Sequence, residues 1–593
     1  MPPHRPPIRE LCLPVLLLAA CHAMASPLLW SPGGTPGGAG TWAADGVQWW
    51  DGEALTVFQT GADLGFADPG AIVPVAGTFE AGQADFSGAG YILILDNAAG
   101  NRLSLSELSG PGRPKIAFRG VISAGANAYP PVSTVRATGL ELRPAGPQRF
   151  EADLIALDSG SPVLGITGAG GPVEFAGIWQ SDTGSIYSWL RLDQGGRLVL
   201  TADADMRFIK DAYYTLQLWV TGDGSGTLEL AEGFVADRTE GGTRPLGIGS
   251  IRMGAGTLVS RQSANLPLGY RPQPSGPAQT NGHLVFENSH GIRWIVTGED
   301  QVYPGAVWIY RDVEVHAERD LMHIGVSEPS ADYMARNGWS VLAASTVRKT
   351  GPGALVLAGE QSYAPGSVFD VAEGRLVLRS DPAAGTPLNG PVTGAQLTVQ
   401  VAAGAVLEWA TDGAVESLIL GGELLLEGDL QLGANGFALF DSTSRTEVLL
   451  RETDAGGRIA AGGTVLLDGT LAVTRVPGHY PPPGTEWLIC EAGDILGEWT
   501  LKDLTGLGLR MDRSGESLRI VSTLEAPDLP GTVWLEDTFE APQAHWKDLS
   551  TVPLWGSPAA HGTAFEYADG VVRLNRSGAR STIGYTGYNL SNG

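Results

Sequence analysis

Cysteine is nearly absent: 593 residues hold three, Cys12, Cys21 and Cys490. Two of these lie at the extreme N-terminus, so a single thiol serves the rest of the chain. One thiol makes neither a disulfide framework nor a zinc cluster. Cys490, in the apolar run Trp487-Leu488-Ile489-Cys490, reads as buried and inert. Charge is also scarce, at 17% of residues, where a quarter is usual. Lysine occurs only at Lys115, Lys210, Lys349, Lys502 and Lys547, so arginine dominates the 38 basic residues against 64 acids and a net charge of −26. That balance excludes the basic footprint of a nucleic-acid binder and attraction to anionic lipid. It suits a large surface kept soluble by self-repulsion. Beyond the N-terminus no run reaches the roughly 20 apolar residues of a membrane helix. Helical periodicity is missing too, its best stretch being the short Ser330 to Arg336. No G-x-S-x-G elbow, phosphate-cradling loop or C-x-x-C pair occurs.

What is present is glycine, 83 residues, with 43% hydrophobic residues and 16 tryptophans. A chain this apolar buries a core and is not disordered. The N-terminus has the layout of an export signal. Arg5 and Arg9 form a basic head, Leu11 to Ala20 an apolar run, and Ala23-Met24-Ala25 a small-x-small cleavage pattern before Ser26. A second reading stays open: Leu18-Ala19-Ala20-Cys21 resembles a bacterial lipobox, in which Cys21 carries a lipid anchor.

From there the chain is a series of short apolar strands punctuated by Gly, Asp, Asn and Pro. Tyr91-Ile92-Leu93-Ile94-Leu95 and Leu424-Leu425-Leu426 are examples. Gly-x-Leu-x-Leu recurs, a turn feeding a strand whose side chains alternate in and out. The starts at Gly353, Gly374, Gly404, Gly422 and Gly463 are 21, 30, 18 and 41 residues apart, the last close to two steps. A period of about 20 residues is the mark of stacked coils, each burying its apolar face on the next. A β-sandwich also supplies strands and turns, but no such long period.

The most specific segment runs Lys349-Thr350-Gly351-Pro352-Gly353-Ala354-Leu355-Val356-Leu357 to Gln361-Ser362-Tyr363, then Val371-Ala372-Glu373-Gly374-Arg375-Leu376-Val377-Leu378. It resembles the autotransporter-associated β-strand repeat, K-x-G-x-G-x-L-x-L-x-G-x-N-x-Y-x-G followed by V-x-x-G-x-L-x-L. Gln361 stands where that pattern has Asn. Gly224-Ser225-Gly226-Thr227-Leu228-Glu229-Leu230 looks like a weaker copy. The tryptophan-rich start (Trp30, Trp42, Trp49, Trp50) and residues 463–521 resemble the flanks of such proteins. The resemblance implies a secreted or surface-displayed passenger and no reaction. The membrane barrel that closes a true autotransporter finds no room after residue 524.

The expected fold is therefore all-β: a right-handed parallel β-helix, or β-solenoid, with a small β-sandwich-like segment at the C-terminus. The expected divisions are a signal peptide at 1–25, a Trp/Gly-rich β region capping the solenoid at 26–119, solenoid body at 120–348 and the repeat region at 349–524. A proline-containing linker at 525–532 leads to 533–593, which looks like the start of a jelly-roll or laminin-G-like module. That module is either cut short or packs its strands on the solenoid.

Asp203 with Asp205, Glu299 with Asp300, and Asp312 with Glu314 are carboxylate pairs of the kind glycoside hydrolysis needs, if they face each other across a sugar. Among 64 acids such pairs also arise by chance. His283, His290, His316 and His323 lack the tight spacing of a zinc site. Asp223-Gly224-Ser225-Gly226 and Gly428-Asp429 are turns with oxygen donors for Ca²⁺, though the calcium-roll array is absent. Trp49, Trp50, Trp294, Trp308 and Trp339 are either sugar-stacking platforms or core. The reading that follows has no catalytic residue, cofactor or metal. It is an exported bacterial surface or extracellular structural, adhesin-like protein. Its candidate partners are surface polysaccharide or other extracellular matrix, with no nucleic acid and no transmembrane helix. The alternatives are a carbohydrate-active β-helix enzyme (polysaccharide lyase or glycoside hydrolase) and a carbohydrate-binding surface module.

Overall fold

The computed structural model describes residues 27–119, 138–157, 160–181, 187–208, 216–240, 244–265, 283–287, 291–325, 338–379, 397–451, 455–476, 481–523, 546–548, 565–568, 571–574 and 583–585. These residues are strands and turns, with one 3-10 turn at Ser263–Asn265 and no α-helix. The expected signal peptide, Ser330 to Arg336 and the expected linker at 525–532 fall outside them.

Almost every strand pairs in parallel with a strand one repeat further along. One series of strands runs from Thr78–Glu80 to Gln361–Tyr363 and is called here the first ladder. A second runs from Gln148–Phe150 to the end of the stack at Ser517–Ser522. A third runs from Trp42–Ala43 to Asp205–Phe208, and resumes from Gln301–Tyr303 to Thr500–Asp503. Alternation turns one side of each strand inward: Ile92–Asp96 buries Leu93 and Leu95 and half-exposes the residues between. In the first ladder this aligns Leu103, Leu140, Leu164, Leu190 and Val220 in one inward column. Columns from these three ladders, and from a six-stranded sheet holding Leu28–Trp30, Leu64–Phe66, Gln83–Phe86 and Glu107–Ser109, meet in a single apolar cluster that reaches from Leu28 to Ile520. Parallel pairing begins at once, Leu28 on Leu64, and continues through Lys349 on Val371 without a break in kind.

The sequence period falls on one ladder for four of its five members. Ala354 pairs with Arg375, Arg375 with Val406, and Val406 with Glu423. The fifth, at Gly463, belongs to the second ladder, where Val465 pairs with Ala438 and Ile495. The true next member is Arg445-Thr446-Glu447-Val448, which pairs with Glu423–Leu426. A polar residue, Thr446, takes the inward position and is buried, which disguises the strand.

Antiparallel departures interrupt the pattern at three places, one within the stack and one at each end. Asp237–Glu240 folds back on Arg244–Gly247 where the third ladder is broken. At the break, side chains replace ladder bonds. Buried Asn265 donates from Nδ2 to the carbonyls of Ala231 (3.1 Å) and Phe234 (2.8 Å), and Gln301 Nε2 donates to those of Ser260 (2.9 Å) and Thr297 (3.0 Å). The second departure closes the stack: Ser517–Ser522 pairs antiparallel with Leu509–Ser514 and with Glu486–Glu491. The opposite end is closed by Trp49–Trp50 lying antiparallel on Leu29–Trp30. Trp30, Trp42, Trp49 and Phe66 pack there, Trp30 and Trp49 edge to face at 5.1 Å. Both terminal hairpins cover edges that would otherwise template further strands.

Chain contacts separate a second unit, residues 480–483 with 523–593. Its pairing is antiparallel, Trp546–Asp548 with Ile583–Tyr585 and Phe565–Ala568 with Val571–Leu574.

Candidate functional site

The repeat-like motif at Lys349 is structural. Lys349 points inward in a column with Val315 and Val371. Its ammonium donates to the carbonyls of Thr350 (2.8 Å), Gly351 (2.7 Å) and Glu373 (3.0 Å). Two of those acceptors belong to its own repeat and one to the next, so the lysine clips successive repeats together. Burial pushes its pKa down to about 8, with Glu373 and Asp320 acting the other way. Gly374 sits over the clip at φ 70°, and a Cβ there would lie 2.3 Å from the Gly351 oxygen and 2.9 Å from Lys349 Nζ. Gln361 and Tyr363 complete the motif by bonding each other, hydroxyl to amide oxygen at 2.7 Å.

Five of the six candidate carboxylates bind backbone or arginine of a neighbouring repeat, and Asp205 is buried. Asp300 accepts from the Asp320 amide (3.1 Å), Asp312 from Thr346 (2.7 Å) and Asp320 from Ala354 (2.7 Å). Glu299 accepts from the Ser263 amide (2.9 Å), and Asp203 pairs with Arg149 (2.5 Å). Burial works to raise the pKa of Glu314, but Arg293 (3.0 Å) and the Thr350 hydroxyl (2.9 Å) hold it below the usual carboxylate range. The turn residues Asp223 and Asp412 do likewise, accepting from the amides of Gln194 (2.7 Å) and Asp429 (2.8 Å). Acids at corners thus satisfy amide groups of adjoining repeats.

The histidines are dispersed. His323 lies inside, its Nε2 2.9 Å from the Gly305 carbonyl; His316 faces outward beside the Thr350 hydroxyl at 2.9 Å. His283 packs its ring 4.4 Å from Trp308, and His290 lies outside the described residues. Among the described residues no group of three or more His, Cys, Asp or Glu is placed to hold a metal. Cys490 is buried, its thiol pushed up to about 12 by burial and then by Glu491. Trp49, Trp294 and Trp339 are core, Trp294 stacking on Trp339 at 6.4 Å, and Trp50 is half-buried.

Trp308 is different, because it stands on the outward side of the first ladder. There the register aligns Val163, Trp189, Trp219, Arg252, Val285, Trp308 and Ser340. Trp189 and Trp219 lie 4.9 Å apart, and the Arg252 guanidinium sits 4.5 Å over the Trp219 ring, a cation–π contact. Beside this column runs a polar one of Ser104, Glu141, Gly165, Arg191 and Thr221. Glu141, 3% exposed, accepts from Thr167 Oγ1 (2.7 Å), Ser104 Oγ (3.1 Å) and Arg191 (3.3 Å), and is in contact with Arg102. Arg191 also reaches Asp193 at 3.0 Å. Gly165 makes the crossing possible, since a Cβ there would lie 2.8 Å from the Arg191 guanidinium. The Glu141 carboxylate is thus ringed by donors from Ser104, Thr167, Arg191 and Arg102. The three tryptophans are nearly closed to solvent (1%, 5% and 5% exposed).

Sequence reading missed this cluster. In Gly139-Leu140-Glu141-Leu142 and Trp189-Leu190-Arg191-Leu192-Asp193 the charges occupy the alternate positions that a solvated sheet face also fills. The identity of the partner two repeats away carries no local signal. No known family model matches the chain, and no curated protein matches it either. Among the described residues no helix is long and apolar enough to cross a membrane.

Proposed function

We propose that this chain is a non-enzymatic extracellular scaffold of the passenger type. It is a right-handed parallel β-helix, related to the autotransporter-associated repeat, that is exported. The observation that carries this reading is the single apolar cluster shared by three ladders and closed at both ends by antiparallel hairpins. That arrangement makes a stiff body whose repeats are held by their neighbours. The polar groups support it as well: Asp203, Glu299, Asp300, Asp312 and Glu314 are engaged with amides and guanidinium groups of adjacent repeats.

A second reading, a carbohydrate-binding surface, is favoured by one feature, the outward column of Trp219, Arg252 and Trp308 with His283 and Tyr310 half-open beside it. A panel of neutral and acidic polysaccharides, assayed with the purified mature protein for chain cleavage and for column retention, separates the readings. Neither cleavage nor retention is expected for the scaffold. Retention lost in Arg252→Ala moves the assignment to glycan binding, and any cleavage overturns the non-enzymatic reading. Mass spectrometry of the secreted product gives the export route: a chain starting at Ser26, or a lipidated Cys21.

A further inference from the structure

The last repeat and its closing hairpin form a partly open cavity of about 150 Å³. Leu467, from the end of one strand, and Trp499, from the turn after the next, contribute to its apolar lining. Trp499 is buried and held edge-on against Phe440 at 5.1 Å. The hairpin supplies Met511, Arg513 and Leu518. Arg513 and Leu518 are cross-strand partners, and Met511 lies two residues from Arg513, so alternation puts all three on one face. Gly497, at φ 72°, stays free of a side chain because a Cβ would meet the Leu467 carbonyl at 2.2 Å.

Two opposite charges complete the lining, Glu498 and Arg513, both exposed. One guanidinium nitrogen of Arg513 donates to the Ile495 carbonyl. The other N–H groups of the planar fork suit a carboxylate. Glu498 suits an ammonium group. A cavity of this volume holds a ligand about the size of benzene, comparable with one branched aliphatic side chain. We propose that this cavity under the closing hairpin binds a small aliphatic zwitterion of the free amino-acid type. The side chain lies among Leu467, Trp499, Met511 and Leu518, the carboxylate on Arg513 and the ammonium on Glu498.

Three probes of nearly one shape test it on the full chain by titration calorimetry: L-leucine, 4-methylpentanoate without the ammonium, and 3-methylbutylamine without the carboxylate. Leucine binds with one site per chain, and each truncated probe binds about tenfold more weakly, the loss of one charge-assisted hydrogen bond. Arg513→Gln and Glu498→Gln, both exposed positions, each weaken leucine about tenfold and bring it level with the matching truncated probe. Met511→Phe fills the cavity and abolishes binding while the β-sheet circular dichroism is kept. No binding of leucine at about 10 mM overturns the site. Equal binding of all three probes, or rim variants without effect, overturns the zwitterionic assignment.

Discussion

Residues 139–342 and residues 349–503 share one kind of ladder, yet they differ in what lies outside it. The first region sets Glu141, Arg191, Trp219 and Trp308 on the outward side of its sheet, largely withdrawn from solvent. The second carries half-open ion pairs there, such as Arg445 with Glu423 and Glu447, and its buried polar group of note, Lys349, faces inward to staple one repeat to the next. The family-like motif thus falls where the chain only has to stack. The region with more chemistry carries only the weaker copy at Gly224 to Leu230, because its contacts join residues from separate repeats.

The sharpest way to break this contrast is Glu141→Leu. Removing the acceptor shared by Arg102 and Arg191 costs about 4 kcal/mol, as for other buried ion networks that lose one partner. Hydrogen exchange of amides in 139–142 and 187–193 measures it locally, which is preferable in a repeat array whose unfolding is not all-or-none. Leu424→Ala, in the regular region, opens a cavity and costs about 3 kcal/mol, with lost protection centred on the paired strands Val406–Trp409 and Arg445–Leu450. A loss spread evenly along the stack would erase the distinction between the regions.

Lys349→Met tests the staple through pH. The folded pKa of about 8 lies below the 10.5 of an exposed lysine. The unfolded chain therefore binds more protons between those values, and wild-type stability rises with pH across that window. The contribution is fully present above about 10.5 and lost as pH falls through about 8, and it amounts to about 3 kcal/mol. Comparing wild type with Lys349→Met between pH 7 and 11 isolates it, and parallel stability curves would contradict the buried ammonium. The smallest effect belongs to Arg445→Ala. Its half-exposed pairs are worth less than about 1 kcal/mol, and the thermal midpoint is expected to stay nearly unchanged.

Legibility followed the same division. Gly353, Gly374, Gly404 and Gly422 announce one ladder because nothing but corner geometry and an apolar strand is required of those repeats. Arg445-Thr446-Glu447-Val448 hid the next strand, since pairing on both sides lets a threonine stand inside where a leucine usually would. The lysine of the motif was visible but its work was not: three carbonyl acceptors, one of them 24 residues away at Glu373, leave no trace in local spacing. Nor did the acids look like caps, because the amide that Asp312 serves belongs to Thr346.

One feature of the ladders reaches beyond stability. Val406 meets Glu423 after 17 residues and Lys115 meets Asp153 after 38, in the same kind of parallel register. Strand pairing sets how repeats align and is indifferent to how much chain separates them. The connection between Arg119 and Gly139 can therefore take on foreign peptide, such as an epitope or an affinity tag, while the strands before and after it keep their alignment. In a lineage, the same indifference lets exposed segments diverge quickly over a frame that hardly changes.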